Sequence, residues 1–289
     1  MRKFAIVTDA TSDLSPDYVR DHSITVLPME FTLWDNTYCH YPDYRELPAD
    51  EFYNAVKAGA VVKTTQINLA TFTDCFAGLV KYGMDVLYIG FSSGISGTYN
   101  VSRMAAQDVM EENPDAKIIC IDSLGTVMGL GLLVEKADEM RTSGATIDET
   151  AAWLEANKLR VHHRFIVDDL NHLRRGGRIS PLAASLGTAL NIKPVLEIDA
   201  QGKLEVYAKE RGTKKAVENL LKKFEECCED KTQKIVVIHA SNPLGAMSLC
   251  EELKKRGAAN TDVSKLGPII GAHTGPGLLG FVYFGTPRG

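Results

Sequence analysis

Apolar positions come in short, unbroken runs along the first half of the chain. Phe4, Ala5, Ile6 and Val7 form one such run, which stops at Thr8-Asp9. A run of this length with no polar alternation predicts a strand buried on both faces. Residues 24–28 read as a second strand, 86–89 as a third and 117–121 as a fourth. Ser15 followed by Pro16 marks a helix start, because a serine side chain caps the first turn and the fixed φ of proline suits the first helical position. Helical periodicity covers residues 50–57 and about 97–113. Apolar strands alternating with helices predict a parallel sheet covered on both faces.

The second half has a different pattern. Residues 165–167 read as a strand. Residues 192–198 and 203–207 flank Asp199-Ala200-Gln201-Gly202, whose turn residues predict a hairpin. Amphipathic helices over 214–228 and 244–255 bracket a strand at 234–239, and apolar residues at 269–271 and 281–284 predict two closing strands. The second half is therefore α+β with a mixed or antiparallel sheet. The boundary falls near residue 160, giving domains 1–160 and 161–289, and the total of 289 residues favours two hydrophobic units over one. No internal repeat or low-complexity linker separates them.

Composition narrows the function classes. With 45% hydrophobic and 24% charged residues the chain reads as globular. No apolar stretch approaches the ~18–20 residues that span a bilayer, so no integral membrane segment is expected, and transient contact with a membrane surface stays open. The first apolar run is too short for a signal peptide. A net charge of −5 argues against nucleic acid as a partner. That charge is uneven, −10 over residues 1–160 and +5 over 161–289. Six cysteines without a CxxC spacing predict reduced thiols in a cytoplasmic protein. His162-His163 has no further ligand at metal-binding spacing, so neither a metal nor a cofactor is expected.

Small polar turns at the ends of parallel strands are where α/β sheets bind ligands. Four candidates fall there: residues 8–13, Lys63-Thr64-Thr65-Gln66, residues 92–98, and Asp122-Ser123-Leu124-Gly125. The third, Ser92-Ser93-Gly94-Ile95-Ser96-Gly97-Thr98, leads from a strand into a helix, so free N–H groups would face an anion. It has no Lys-Ser/Thr closure of a phosphate loop and no G-x-G-x-x-G. Ser and Gly serving only to cap the helix explains it equally well. Gly90-Phe91-Ser92-Ser93-Gly94 also fits the G-x-S-x-G turn of serine hydrolases, with Asp199 and His273 following in the required order. Against it, Asp199 is favoured by hairpin geometry alone. A binder of another small anionic metabolite is a third reading. His273 lies among three glycines and a proline, in what reads as a tight loop. Residues 170–180 are basic and broken by Gly176-Gly177, consistent with a capped helix end before a small apolar helix at 182–190.

Taken in order, Thr8-Asp9-Ala10-Thr11-Ser12-Asp13, Lys63-Thr64-Thr65-Gln66, Ser92-Ser93-Gly94-Ile95-Ser96-Gly97-Thr98, Gly176-Gly177-Arg178-Ile179-Ser180, Ile192-Lys193-Pro194 and His273-Thr274-Gly275-Pro276-Gly277 resemble the DegV family over nearly the whole chain. The resemblance implies a Rossmann-like N-terminal domain, an α+β C-terminal domain, and a long-chain fatty acid held between them. It implies a bacterial, non-catalytic subunit of a fatty acid kinase, presenting the carboxylate for phosphorylation by a separate ATP-using subunit and so feeding phospholipid synthesis. Carried over residue by residue, Thr64 and Ser93 are the expected carboxylate contacts, with His273 at or one water away from the head group. Thr65, Gly94, Ser96 and Thr274 complete the set. Arg174, Arg175 and Arg178 fall where the family meets its kinase. Thr65 stands where the family has Ser, and Ile67 where it has Pro.

The physics suits that expectation. A tail of about sixteen carbons contributes on the order of 12 kcal/mol gross at ~0.8 kcal/mol per methylene. The carboxylate then needs hydrogen-bond donors rather than a buried cation, since an ion-paired carboxylate is the poorer nucleophile. Residues 165–167, 182–190 and 281–284 are candidates for the wall around the tail.

Overall fold

The computed structural model describes residues 3–179 and 191–289; the helix expected at 182–190 lies outside them. In chain order the elements are β1 (Phe4–Asp9), α1 (Pro16–Asp21), β2 (Thr25–Leu27), β3 (Met29–Leu33), β4 (Asn36–His40), α2 (Ala49–Lys57), β5 (Val62–Thr64), α3 (Leu69–Lys81), β6 (Asp85–Gly90), α4 (Thr98–Glu112), β7 (Ile118–Asp122), α5 (Val127–Thr142) and α6 (Ile147–Asn157). There follow β8 (Val161–Ile166), α7 (Asn171–Arg175), β9 (Ile192–Ile198), β10 (Leu204–Arg211), α8 (Thr213–Cys227), β11 (Lys234–His239), α9 (Pro243–Lys255), β12 (Asn260–Lys265), α10 (Pro268–Thr274) and β13 (Leu279–Phe284).

Three sheets result. The first is parallel, in the order β2-β1-β6-β7. β1 and β6 are buried at every position, which is why they read as unbroken apolar runs. The second is a small antiparallel sheet, β4-β3-β5. The third has six strands, β10-β9-β8-β13-β11-β12, antiparallel except for β11 beside β12. The parallel and small sheets use residues 4–122 and the six-stranded sheet residues 161–284.

Helix faces follow from spacing. On α2, Ala49, Phe52, Tyr53 and Val56 recur at helical intervals and are buried. On α8 and α9, Leu220, Phe224, Leu249 and Leu253 do the same against the six-stranded sheet, where they meet Val237, Phe281 and Tyr283. The larger hydrophobic cluster joins both halves of the chain, running from Ile6 and Phe72 through Leu130 and Leu133 of α5 to Phe165, Ile238 and Leu266. α5 packs on β1 and β6 on one side and on β8 and β13 on the other.

Two expectations are corrected. Residues 269–271 are helical: Gly267 caps α10 and Pro268 occupies its first turn, so Ile269 and Ile270 are successive helical positions, the first buried and the second half-buried, rather than part of a strand. His273 is therefore in the last turn of a helix and not in a loop. The turn carrying Thr64 ends an antiparallel strand, because β5 pairs with β3 and not with the parallel sheet. Among the described residues no helix is long and apolar enough to cross a membrane, and all six cysteines are free.

Candidate functional site

A cavity of about 350 Å³ opens where α10, the end of β5 and the start of α4 meet the six-stranded sheet. Its apolar wall includes Phe91, Ile95, Phe165, Ile198, Leu204 and Ile269. Its polar edge is built by three segments. β5 ends at Thr64, and the Thr65 N–H donates to the Glu30 carbonyl at 2.9 Å, which extends the pairing with β3 by one bond. Ile67 is buried in the core, so an apolar anchor fixes this turn where the family pattern has proline. α10 brings His273 to the same place, and Thr64 Oγ1 lies 2.9 Å from His273 Nε2. The start of α4 supplies Ser96 and Gly97. Gly97 lets the Gln66 side chain of the neighbouring turn lie close against it, since a Cβ there would sit 2.4 Å from Gln66 Oε1 and push that side chain aside.

Buried acids hold these segments in place. Asp9 accepts from Tyr88 Oη and the Phe91 N–H, each at 2.9 Å, and from Thr11 Oγ1 at 2.6 Å. Burial raises its pKa against those bonds. Asp122 accepts from the N–H groups of Ser93 and Leu124, both at 3.1 Å. Asp13 accepts from the Gly267 N–H at the head of α10. The acids of the first-strand turn are thus scaffolding for the loops that face the cavity.

His273 is neutral at physiological pH: burial, and secondarily the Arg178 guanidinium, lower its pKa to about 4. Its Nδ1 faces Gly176, where any Cβ would lie 2.2 Å away, so only glycine allows the ring this position. Arg178 lines the cavity. Among the described residues its guanidinium donates only to the Gly176 carbonyl, and burial lowers its pKa.

The expected residues separate on this geometry. Thr64, Thr65, Ser96, His273 and Thr274 line the cavity. The Thr274 hydroxyl is turned back onto the Ile270 carbonyl at 3.1 Å. Ser93 is exposed and, with Gly94, lies outside the lining; the serine that faces the cavity is Ser96. Arg174 and Arg175 are exposed, whereas Arg178, expected on the same surface, turns inward. Phe165 lines the cavity, but residues 281–284 do not. Gln66, Thr126 and His163 join the lining without having been singled out; only Gln66 lay within an expected turn. The hydrolase constellation does not assemble. Ser92 Oγ donates to the Gly202 carbonyl at 2.7 Å, Asp199 accepts from the N–H groups of its own turn, and His273 meets Thr64.

A family model described as "Uncharacterised protein, DegV family" matches residues 3–286. The chain is 39% identical over 277 residues to the DegV domain-containing protein YteA of Lactococcus lactis subsp. lactis, with 96% of each chain covered. A DegV family protein from Thermus thermophilus, described by its fatty acid binding, superposes with a TM-score of 0.88 at 30% identity, covering 99% of this chain and 100% of its own. A fatty acid binding DegV family protein from Streptococcus agalactiae gives a TM-score of 0.87 at 31% identity, with both chains covered completely.

Proposed function

The chain belongs to the DegV family, and on that premise we propose that it binds a long-chain fatty acid in this cavity and presents the carboxylate to a separate ATP-using kinase subunit. The observation that carries the reading is the union of an apolar wall with the Thr64–His273 pair at its polar edge. The tail supplies the affinity, ~0.8 kcal/mol per methylene before ordering costs are subtracted. The carboxylate must exchange water for fixed donors. With Nε2 protonated, neutral His273 donates to Thr64 Oγ1, which frees the threonine proton for the carboxylate. Ser96 stands at the same edge, its hydroxyl 2.9 Å from Thr98 Oγ1 and accepting from the Thr98 N–H, ahead of the positive end of α4. Arg178 also lines the cavity, a cation where the sequence argument expected neutral donors alone; its guanidinium donates to the Gly176 carbonyl.

The chain itself needs no catalytic residue in this scheme. A carboxylate oxygen attacks the γ-phosphorus of ATP on the kinase, ADP leaves, and an acyl phosphate remains in the cavity. Residues 1–160 carry the carboxylate loops, and residues 161–289 carry His273 and most of the tail wall. The exposed Arg174 and Arg175 are the surface for the kinase, and the cytoplasm is the compartment. A second reading as a serine hydrolase loses its support because Ser92 is engaged with Gly202. The test combines purified chain, fatty acid, ATP and a fatty acid kinase catalytic subunit, with acyl phosphate trapped as the hydroxamate. Product that depends on this chain, and falls in the Arg174→Glu/Arg175→Glu variant while fatty acid stays bound, supports the proposal. Product formed equally without the chain overturns it.

A further inference from the structure

Resting on the reading that this cavity holds a fatty acid, we propose that Ile198 and Leu204 of the β9–β10 hairpin form a rigid stop at its far end and set the longest acyl chain that fits. Thr64, His273 and Arg178 stand at the polar end of the cavity. The sheet register places the opposite end. Arg164 of β8 pairs with Glu197 of β9, so the next pair along the same register is His163 with Ile198. Ile198 is paired in turn with Leu204 of β10. His163, Ile198 and Leu204 all line the cavity, as does Phe165. Their row lies two residues from Phe165, ~7 Å along a strand. It is on the side away from α7, which follows β8 and leads to Gly176 behind His273.

The two halves of the chain are fastened together at this end. Ser92 Oγ donates to the Gly202 carbonyl at the hairpin turn, at 2.7 Å. Glycine permits that approach: Gly202 has φ +72°, and a Cβ there would lie 2.2 Å from Ser92 Oγ. The buried Arg288 guanidinium donates to the Ile198 and Asp199 carbonyls of the hairpin and to the Leu124 carbonyl of the turn after β7. On the facing side, His163 Nε2 lies 3.0 Å from the Thr126 carbonyl oxygen. Val127 follows and lines the cavity at φ +46°, a conformation that a β-branched residue keeps only where its surroundings fix it. The end of the cavity is thus backbone held by donors from both halves, and not a loop free to part.

A stop of this kind gives a defined dependence on acyl length. Each methylene that fits strengthens binding about fourfold before ordering costs. The first methylene beyond the stop finds a close-packed wall that must deform, so the gain turns into a loss. Replacing Ile198 or Leu204 with alanine removes about three carbon atoms from the wall and makes room for roughly two more methylenes. Ile269 serves as the contrast. It lines the same cavity but lies one helical turn before His273 on α10, beside the head group, so its loss weakens every acid alike.

The test is a displacement assay on the full chain with the even-numbered saturated acids from dodecanoic to eicosanoic. Wild type, Ile198→Ala, Leu204→Ala, Leu204→Phe and Ile269→Ala are measured in parallel. In wild type, affinity is expected to rise with length and then to drop about tenfold at the next even acid. The drop moves to an acid about two carbons longer in Ile198→Ala and Leu204→Ala, moves to a shorter acid in Leu204→Phe, and keeps its place in Ile269→Ala. Leu204 is half-buried, so Leu204→Ala decides the matter if Ile198→Ala does not fold. The proposal is overturned if wild-type affinity climbs through eicosanoic acid without a drop, if the drop stays in place in Leu204→Ala, or if Ile269→Ala moves it equally. Binding of no acid at any length defeats the fatty-acid reading as well; binding with an unmoved drop defeats this inference alone.

Discussion

Replacing Thr64 with Val removes one hydroxyl and keeps the shape of the side chain, so its effects isolate the hydrogen bond at the polar edge of the cavity. In the free protein the loss leaves His273 Nε2 facing a methyl group where it had a partner at 2.9 Å. His273 is largely buried and neutral, so the unsatisfied nitrogen costs ~1–3 kcal/mol. For a chain of this size that lowers the Tm by roughly 2–6 °C. Ligand binding loses more than the neutral pair, because a hydrogen bond to a carboxylate contributes about 1.5–3 kcal/mol. Fatty-acid affinity therefore falls about 10- to 150-fold. Thermal denaturation of ligand-free protein reads the first effect, and displacement of a fluorescent fatty acid reads the second. A lowered Tm with wild-type affinity would show that Thr64 only braces His273 and that the carboxylate sits elsewhere. Neither effect would refute the assignment of the pair altogether.

Two further outcomes follow from buried ionisable groups. Burial lowers the pKa values of His40, His162, His163 and His273 from 6.5 to about 3, 4, 3 and 4. The stability they contribute is present above pH 6.5 and is lost as pH falls towards the folded values. Asp9 and Asp13, raised by burial, act in the opposite sense. His172 and His239, also lowered by burial, add to the histidine side, so stability is expected to fall as pH drops below 6.5; denaturant midpoints that stay level or rise on acidification would contradict this. Arg288 is buried and donates to the carbonyls of Ile198, Asp199 and Leu124 at 3.1, 2.9 and 3.0 Å, tying the β9–β10 hairpin to the turn after β7. Arg288→Met should cost at least ~3 kcal/mol in chemical denaturation, since several buried carbonyls lose their donor at once; a loss under ~1 kcal/mol would show that water replaces the guanidinium.

The legible parts of the fold were those whose burial matches a simple period. β1, β6 and β7 read as strands because they are apolar runs bounded by polar turns. α5 carried no such signal: from Val127 to Val134 it is buried at every position, so it has no polar face for a helical period to reveal. β12, Asn-Thr-Asp-Val-Ser-Lys, is polar, and its pairing with β11 makes it a strand. The β3–β4 hairpin was legible in principle, since Met29, Phe31 and Leu33 alternate with polar residues, but its turn at Trp34-Asp35 lacks glycine. At the site, the residue types identified the loops but not which hydroxyl faces inward. That depends on the turn from Ser92 to Ser96, closed by the Ser96 N–H on the Ser92 carbonyl at 3.1 Å, which places Ser96 on the cavity and leaves Ser93 outside. The inward turn of Arg178 depends equally on the fold around Gly176.

The most direct test of the central claim is a crystal structure of the protein with stearic acid. The account predicts an extended acyl chain along Phe91, Phe165 and Ile198, with a carboxylate oxygen within hydrogen-bond distance of Thr64 Oγ1. A chain lying outside this cavity, or a carboxylate held away from both Thr64 and His273, would contradict it.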